Sequence, residues 1–358
     1  MSTSNQKPYI SFVVTSRNDN HGGDLLKRTT CFVEGVYHLA SKFDVEIELV
    51  MVEWNPPVDK SLLKDVLPKP PTNCSVSLHY IVVPNEVHQT YKMADRMPLF
   101  QMTAKNVGIK RAKGEFILCT NIDLLFSTEL FEFLAEKKLK ENHFYRANRV
   151  DVPSEIMEIE NFNDKIKFAK KNVIERLGKH KGHEFLFGIP NFLYGFTNSI
   201  KILNWIFKVF LQTFYNKEDY TMFPLDTSAC GDFTLMHKDD WLKIEGYPEL
   251  DLYSIHIDSM GLIAARALGL KQEILPHKLC SYHIYHENGW ESFKESPVDL
   301  IKFIEKRPGL DWYSVYETGK WMIKNKKTWG LNKPTWGFSD KKFKEFIFEP
   351  GKEMVEIN

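Results

Sequence analysis

The sequence has few cysteines, no excess of charge and no secretory leader. Its five cysteines lie far apart and form no Cys-x-x-Cys pair, which argues against a disulfide framework or a thiolate zinc site and indicates reduced core residues. The 47 Lys and Arg residues balance 47 Asp and Glu residues, so no overall field recruits nucleic acid. The amino-terminal MSTSNQKPY lacks the basic and apolar segments of a signal peptide, so we expect a cytoplasmic protein.

Long apolar runs are also lacking. The most apolar helix candidate, residues 196–214, is interrupted by Lys201 and Lys208, whereas a membrane-spanning helix needs about 20 mostly apolar residues. The helical spacing of its apolar residues predicts that this helix packs on the core or lies against an apolar surface such as a lipid. We therefore predict no transmembrane segment, and a peripheral contact at the inner face of a membrane is left open.

Apolar runs alternate with helical patterns in the first 140 residues. β-branched and aromatic runs predict buried strands at 10–15, 47–53, 77–83 and 115–120. Apolar residues with a helical period predict helices between them, at 25–39, 102–111 and 127–140. This alternation predicts an α/β fold with an open, Rossmann-like sheet.

Polar residues follow three of these strands, at 16–19, 53–55 and 121–123. In an open α/β sheet, ligands bind beyond the carboxyl ends of the strands, where loops converge without covering helices. An aspartate at such an end, Asp123, can hold a divalent cation through oxygen, although a turn or helix-capping role is equally ordinary chemistry for it. The functional residues are therefore expected at this edge of the sheet.

The segment AKNVGIKRAKGEFILCTNID (104–123) resembles the block that precedes the metal-binding Asp-x-Asp of family-2-like GT-A glycosyltransferases. The matching positions are Asn106, Gly108, Ala112, Gly114 and Asp123. The resemblance implies a GT-A fold, a nucleotide-sugar donor and a divalent cation, Mn²⁺ or Mg²⁺, held by Asp123. Asn121 departs from the pattern, because an aspartate is usual there, and an amide offers hydrogen bonds to a ribose or phosphate instead.

Two further strings, VVTSRND (13–19) and VEWN (52–55), resemble the nucleotide-binding loops of the same family. A carboxylate there can accept from a base or ribose, and an arginine can offer a fork of donors to a phosphate. An arginine in YRANRVD (145–151) could neutralise a phosphate, bind an anionic acceptor or form a solvated charge pair. The predicted donor-binding residues are Thr15, Arg17, Asp19, Glu53, Asn106, Asn121 and Arg146.

Residues 231–259 are similar to the acceptor half of the fold, with Asp232 and Tyr247 as predicted acceptor contacts. The resemblance places Asp258, just before a predicted helix at 259–268, where an inverting enzyme keeps its general base; it could also cap that helix. The family often supplies a late histidine to the metal. His283 is preferred and His286 is the alternative, because an i, i+3 pair on a strand points oppositely and at most one would meet the cation.

The strings SRND, VEWNPP, TNID, HIDS and WGL resemble a bacterial-type group of such enzymes and extend the likeness over most of the chain. It implies a GT-A domain at 1–290, with 152–225 as an insertion or acceptor-side subdomain, and a mainly helical, loop-rich extension at 291–358. The implied activity is transfer of a sugar from a nucleoside-diphosphate sugar to a hydroxyl of a glycan or lipid-linked acceptor, with inversion. A retaining enzyme and an inactive nucleotide- or carbohydrate-binding scaffold are the alternatives.

Overall fold

The computed structural model describes residues 7–178, 225–286 and 308–357. The apolar helix predicted at 196–214, most of the predicted insertion and the first part of the predicted extension lie outside these residues. The described strands are β1 Ile10–Ser16, β2 Ile47–Trp54, β3 Val76–Val83, β4 Phe116–Thr120, β5 Leu124–Phe126, β6 His143–Arg146, β7 Asn148–Val152, β8 Glu175–Leu177, β9 Phe233–His237, β10 Lys271–Ile274, β11 Cys280–Ile284, β12 Lys344–Phe348 and β13 Val355–Ile357. The described α-helices are α1 Leu25–Phe43, α2 Leu63–Val66, α3 Asn85–His88, α4 Gln101–Arg111, α5 Thr128–Ala135, α6 Phe162–Lys171, α7 Lys238–Lys243, α8 Ile257–Ala267 and α9 Trp312–Asn325.

A nine-stranded sheet forms the centre, in the order β10-β6-β9-β4-β1-β2-β3-β12-β13. Its middle strands β4, β1, β2 and β3 are all parallel, as the alternation of strands and helices predicted. β9 runs antiparallel to both β4 and β6, so the sheet is mixed toward one edge. The predicted Rossmann-like α/β fold is confirmed.

Helices cover both faces of this sheet. Apolar residues of α1 and α5 pack on one face, and those of α4, α7, α8 and α9 pack on the other. All residues of β1 and β2 are buried, which is why their sequences are continuous runs rather than alternating ones. The α4 helix lies so close to β1 that a Cβ at Gly108 would be 2.5 Å from Val13 Cγ1.

A separate four-stranded sheet has the order β5-β11-β7-β8. Its β11 is antiparallel to β5 and parallel to β7, with His283 opposite Leu124 on one side and Asp151 on the other. Asp123 directly precedes β5, and its carbonyl accepts a hydrogen bond from the Ile284 amide at 2.9 Å. This small sheet therefore joins three segments that are far apart in the sequence.

The carboxy-terminal residues take part in both layers. The α9 helix packs against α8, and β12 pairs antiparallel with β3, so the extension adds two strands to the main sheet that the sequence did not predict. The helix predicted through residue 140 ends at Ala135, since Lys137 adopts a left-handed backbone conformation. The proposed boundary at residue 290 stays a prediction.

Two further expectations concern the whole chain. All five cysteines are free and buried, as expected for reduced core residues. Within the described ranges, no helix is both long and apolar enough to cross a bilayer.

Candidate active site

A cavity of about 370 Å³ opens at the carboxyl ends of β1 and β4. A shallower depression of about 680 Å³ lies elsewhere, between α1 and the loop of residues 68–73, away from these strand ends. The clustered polar side chains line the smaller cavity, where the rule for open α/β sheets places a ligand. They include Thr15, Arg17, Asp19, His21, Arg28, Arg96, Gln101, Asn121, Asp123, Arg149, Asp232, His283 and His286.

Asp123, His283 and His286 face one another in this cavity. Each offers one ligand atom, and the three atoms lie within 4.8 Å of one another. Asp123 Oδ2 is 3.1 Å from His286 Nε2 and 3.6 Å from His283 Nε2. Both histidines lie near Asp123, because β11 ends at Ile284 and strand alternation no longer directs His286. How many of them meet a cation stays a prediction.

His283 lies between two carboxylates. Burial alone would lower its pKa, but the negative charge of Asp123 and the nearness of both carboxylates outweigh burial and raise the pKa to about 9. Burial opposes ionisation of Asp123 too, yet His283 and His286 hold the pKa of that carboxyl well below its usual range. Without a cation, this group is therefore an aspartate anion beside a protonated His283.

Asp151 lies beside the His283 ring, on the Nδ1 side. Its Oδ1 lies 3.2 Å from His283 Nδ1, while the other ring nitrogen, Nε2, is the one nearer Asp123 Oδ2, at 3.6 Å. Arg149 Nε and Nη2 donate to the two oxygens of Asp151 at 2.5 and 3.1 Å, and Arg149 Nη1 reaches Asp232 Oδ2 at 3.1 Å. Despite burial, His283 and Arg149 lower the pKa of Asp151 to about 2, so it stays an anion.

The group fits a divalent cation. Asp123 Oδ1 is buried and has no hydrogen-bond partner, so one carboxylate oxygen is unsatisfied by the described protein residues. One carboxylate oxygen and two imidazole nitrogens form a donor set suited to a first-row divalent metal such as Mn²⁺. A carboxylate behind one histidine is the support that metal-ligating imidazoles commonly have.

Asn121 contacts other protein groups rather than this cluster. Its Oδ1 accepts from Gln101 Nε2 and Lys105 Nζ, both at 2.9 Å, and its amide nitrogen donates to Asp232. Lys105 is fully buried, which lowers its pKa, and it also donates to the Gly231 carbonyl at 2.8 Å. The amide at position 121 therefore satisfies a buried ammonium and a cavity carboxylate at once.

Arginines surround the cavity. Arg17 Nε donates to the Asn55 carbonyl at 3.0 Å and its Nη1 pairs with Asp19 at 3.1 Å. Arg28 was missed by the sequence reasoning; it is buried and donates to the carbonyls of the His21-Gly22-Gly23 loop. A signal existed, since Arg28 interrupts the apolar stripe of α1, where a charged residue is unexpected.

The remaining predicted residues divide into two groups. Thr15, Asp19 and Asp232 line the cavity, and Thr15 Oγ1 donates to the Val52 carbonyl at 3.1 Å. Glu53 is buried and does not line it; its Oε2 accepts from the Leu63 amide at 2.9 Å, and burial raises its pKa to about 7. The donor role predicted for Glu53 stays a prediction.

Asn106, Arg146 and Tyr247 are buried away from the cavity. Asn106 exchanges hydrogen bonds of 2.8 Å with the backbone of Tyr247, and Arg146 Nη2 donates to the Ser228 carbonyl at 2.7 Å. These contacts hold the turn at 246–249 and the loop at 228–230 in place. The ligand contacts predicted for the three residues stay predictions.

Asp258 lies in the first turn of α8 and is not among the residues that line the cavity. Its Oδ2 accepts from the Gly231 amide and its Oδ1 from the Ser259 amide, both at 2.8 Å. A Cβ at Gly231 would be 3.1 Å from Asp258 Oδ2, so this glycine permits the close approach. Gly231 directly precedes Asp232, which lines the cavity. Asp258 therefore contacts the cavity wall from behind, through the Gly231 amide.

Comparisons with known proteins give only distant likenesses. No protein-family model matches the sequence, and no curated protein matches it. The structure is similar to that of residues 1–349 of TarS from S. aureus at 13% identity and TM-score 0.39, covering 88% of this chain and 71% of that one. TarS with UDP-GlcNAc gives 11% identity, TM-score 0.41 and coverage of 88% and 72%. The mannosyltransferase PcManGT from Pyrobaculum calidifontis, in complex with GDP-Man and Mn²⁺, has 9% identity and a TM-score of 0.39. That match covers 90% of this chain and 74% of the mannosyltransferase. At such TM-scores, the function has to be argued from the residues of the site.

Proposed function

We propose that this chain is a glycosyltransferase that uses a nucleoside-diphosphate sugar. The observation that carries the proposal is the meeting of Asp123, His283 and His286 in an arginine-lined cavity at the carboxyl ends of parallel strands. The sequence resemblance to family-2-like GT-A enzymes rests on the same segment, residues 104–123.

The cavity has the charges that a diphosphate requires. Asp123 and the two histidines would hold a divalent cation, which when bound neutralises charge on the departing diphosphate. Arg17, which directly follows β1, and Arg28 of α1 line the same cavity and add positive charge to it. Both guanidinium groups are held by protein acceptors, namely the Asn55 carbonyl, Asp19 and the carbonyls of residues 21–23, so they would attract the diphosphate as fixed positive charges.

Asp258 is proposed as the base of an inverting reaction. Its two oxygens accept from the Gly231 and Ser259 amides, which orient the carboxylate at the first turn of α8. The acceptor hydroxyl would give its proton to Asp258 while its oxygen bonds to the anomeric carbon and the bond to the diphosphate breaks. Asp232 follows Gly231 in the chain and lines the cavity, and it is the proposed contact for a glycan or glycolipid acceptor.

Stereochemistry has a direct test. A product of β configuration formed from an α-configured donor, detected by NMR of the new linkage, is the expected result. An α-configured product would refute inversion and remove the need for Asp258 as base.

Donor hydrolysis tests the activity itself. UDP-, GDP-, CMP- and dTDP-sugars are incubated with Mn²⁺ and the purified chain, and release of free nucleotide is measured. We expect release from one donor class and its loss in Asp123→Asn. Asp164→Asn, the same chemical change at an exposed residue of α6, is the matched control and should release nucleotide normally. Binding of a donor without release would instead support the scaffold alternative.

A further inference from the structure

The exposed aromatic side chains of the described residues are concentrated on α9. Among the large apolar side chains that are exposed in the described residues, the aromatic ones are Trp312, Tyr313 and Trp321, all of α9. The exposed Leu331 follows the end of this helix. Tyr313 is 73% exposed and Trp321 is 49% exposed. Tyrosine and tryptophan bury large apolar areas when they pack, so rings left in solvent on a single helix indicate a binding surface.

The faces of α9 are clearly divided. Val315, Gly319 and Met322 are buried, and this face packs against α8. Tyr313 and Trp321 are two turns apart and lie on the opposite face. The Tyr313 and Trp321 rings are therefore not needed for the contact that holds the helix in the fold.

Positive charge accompanies these rings. Residues 312–333 contain five lysines and a single acidic residue, Glu317, in a chain whose total charge is zero. Lys320 pairs with Glu317 at 3.8 Å. Lys324, Lys326 and Lys327 are exposed at the end of the helix. We call Tyr313, Trp321, Lys324, Lys326, Lys327 and Leu331 the α9 surface.

The start of α9 lies close to the candidate active site. The Tyr253 amide donates to the Pro308 carbonyl at 2.9 Å, just before the helix, and Tyr253 lines the cavity. The Trp312 ring meets the His256 ring edge-on at 5.2 Å, and His256 precedes α8, which carries Asp258. These contacts place the first turn of α9, which carries Tyr313, near the cavity.

We propose that the α9 surface binds an anionic lipid bilayer. Lysines near a negatively charged leaflet are attracted by its surface potential, and tryptophan and tyrosine favour the headgroup level, where one end of the ring is apolar and the other wet. A neutral glycan would use the rings but not the lysines, so the charge favours lipid. Binding needs no donor and no cation, and it therefore stands apart from the transfer chemistry; it would place the cavity beside a lipid-linked acceptor.

The test is co-sedimentation of the full chain with vesicles of phosphatidylcholine alone or of phosphatidylcholine mixed with phosphatidylglycerol, without nucleotide or metal. We expect binding to the anionic vesicles, weaker binding at high salt and little binding to the neutral ones. Lys324→Glu combined with Lys327→Glu should weaken binding more than about tenfold, since each lysine near the surface contributes about fivefold. Trp321→Ala should weaken binding several-fold.

The control pair is Lys138→Glu with Lys167→Glu, which makes the same change of charge at exposed lysines. Lys138 follows α5 and Lys167 lies in α6, and the apolar residues of these helices pack in clusters other than the one that holds α9. The control should bind anionic vesicles like the wild type. Thermal unfolding of each variant checks that the exposed substitutions leave the fold intact.

Three outcomes would overturn the proposal. The first is no binding of the wild type to anionic vesicles. The second is equal loss in the control pair, which would mean that net charge rather than the α9 surface is responsible. The third is retention on an immobilised neutral polysaccharide that Trp321→Ala abolishes, with no vesicle binding, which would make the surface a glycan site. Donor hydrolysis in solution is measured separately, so its failure does not affect this result.

Discussion

Replacing Asp151 with asparagine should weaken Mn²⁺ binding although Asp151 is not among the three grouped ligand atoms. Asp151 Oδ1 lies 3.2 Å from His283 Nδ1, and Arg149 donates to both of its oxygens. An asparagine keeps the shape, but its single oxygen can serve either the imidazole or one arm of the guanidinium. Its NH₂ group then faces a donor, and His283 loses the anion that fixes its orientation.

The expected loss follows from that conflict. Changes to the groups that support a metal-ligating histidine typically lower metal affinity by about 10- to 100-fold, which is about 1.4–2.7 kcal/mol. We therefore expect the dissociation constant for Mn²⁺ to rise by about 10- to 100-fold.

Calorimetric titration of the purified protein with Mn²⁺ gives this constant without relying on activity. Asp164→Asn is again the matched control, because it makes the same substitution at an exposed carboxylate. An unchanged dissociation constant in a folded Asp151→Asn variant would refute the reasoning. A wild-type protein that binds no Mn²⁺ would count against the cation site itself.

Two further predictions concern buried polar groups around the site. The pKa of Glu53 is raised from 4.5 to about 7, so the folded state holds its proton more tightly; the resulting stability is complete below pH 4.5 and is lost as the pH rises through about 7. Glu53→Gln should therefore reduce the difference in unfolding free energy between pH 4 and pH 8 by about 3 kcal/mol. Urea unfolding at the two pH values measures this difference, and an equal difference in the wild type and the variant would contradict the prediction. Asn121→Ala should lower the free energy of unfolding by about 1–3 kcal/mol, because the buried Lys105 ammonium loses an acceptor. Urea unfolding checks this too, and a neutral result would mean that Lys105 finds another partner.

Local sequence patterns were enough to predict the central strands and the edge of the sheet at which the site lies. The runs at β1, β2, β3 and β4 are buried on both faces, so their composition alone distinguishes them from surface segments. Because parallel strands end at one edge, Arg17, Asp19 and Asp123 could be assigned to a common site before any contact was known.

Pairing between distant segments was beyond the reach of local patterns. Asp151 and His283 are 132 positions apart and become neighbours only through the register of β7 and β11. Periodicity within a segment carries no information about which strand lies beside it or in what register, so Asp151 was missed. The position of His286 depended likewise on where β11 ends.

The sequence by itself therefore determined the α/β class, the parallel core and the presence of Asp123 at a strand end, since these follow from local burial and chain order. Only the tertiary structure decided that both histidines face Asp123, that Asn121 serves Lys105 rather than the cation site, and that the segment leading into α9 contacts the cavity residue Tyr253. Each of these depends on a contact between segments that are distant in the chain, and the free energy of such contacts is defined only once the whole fold brings them together.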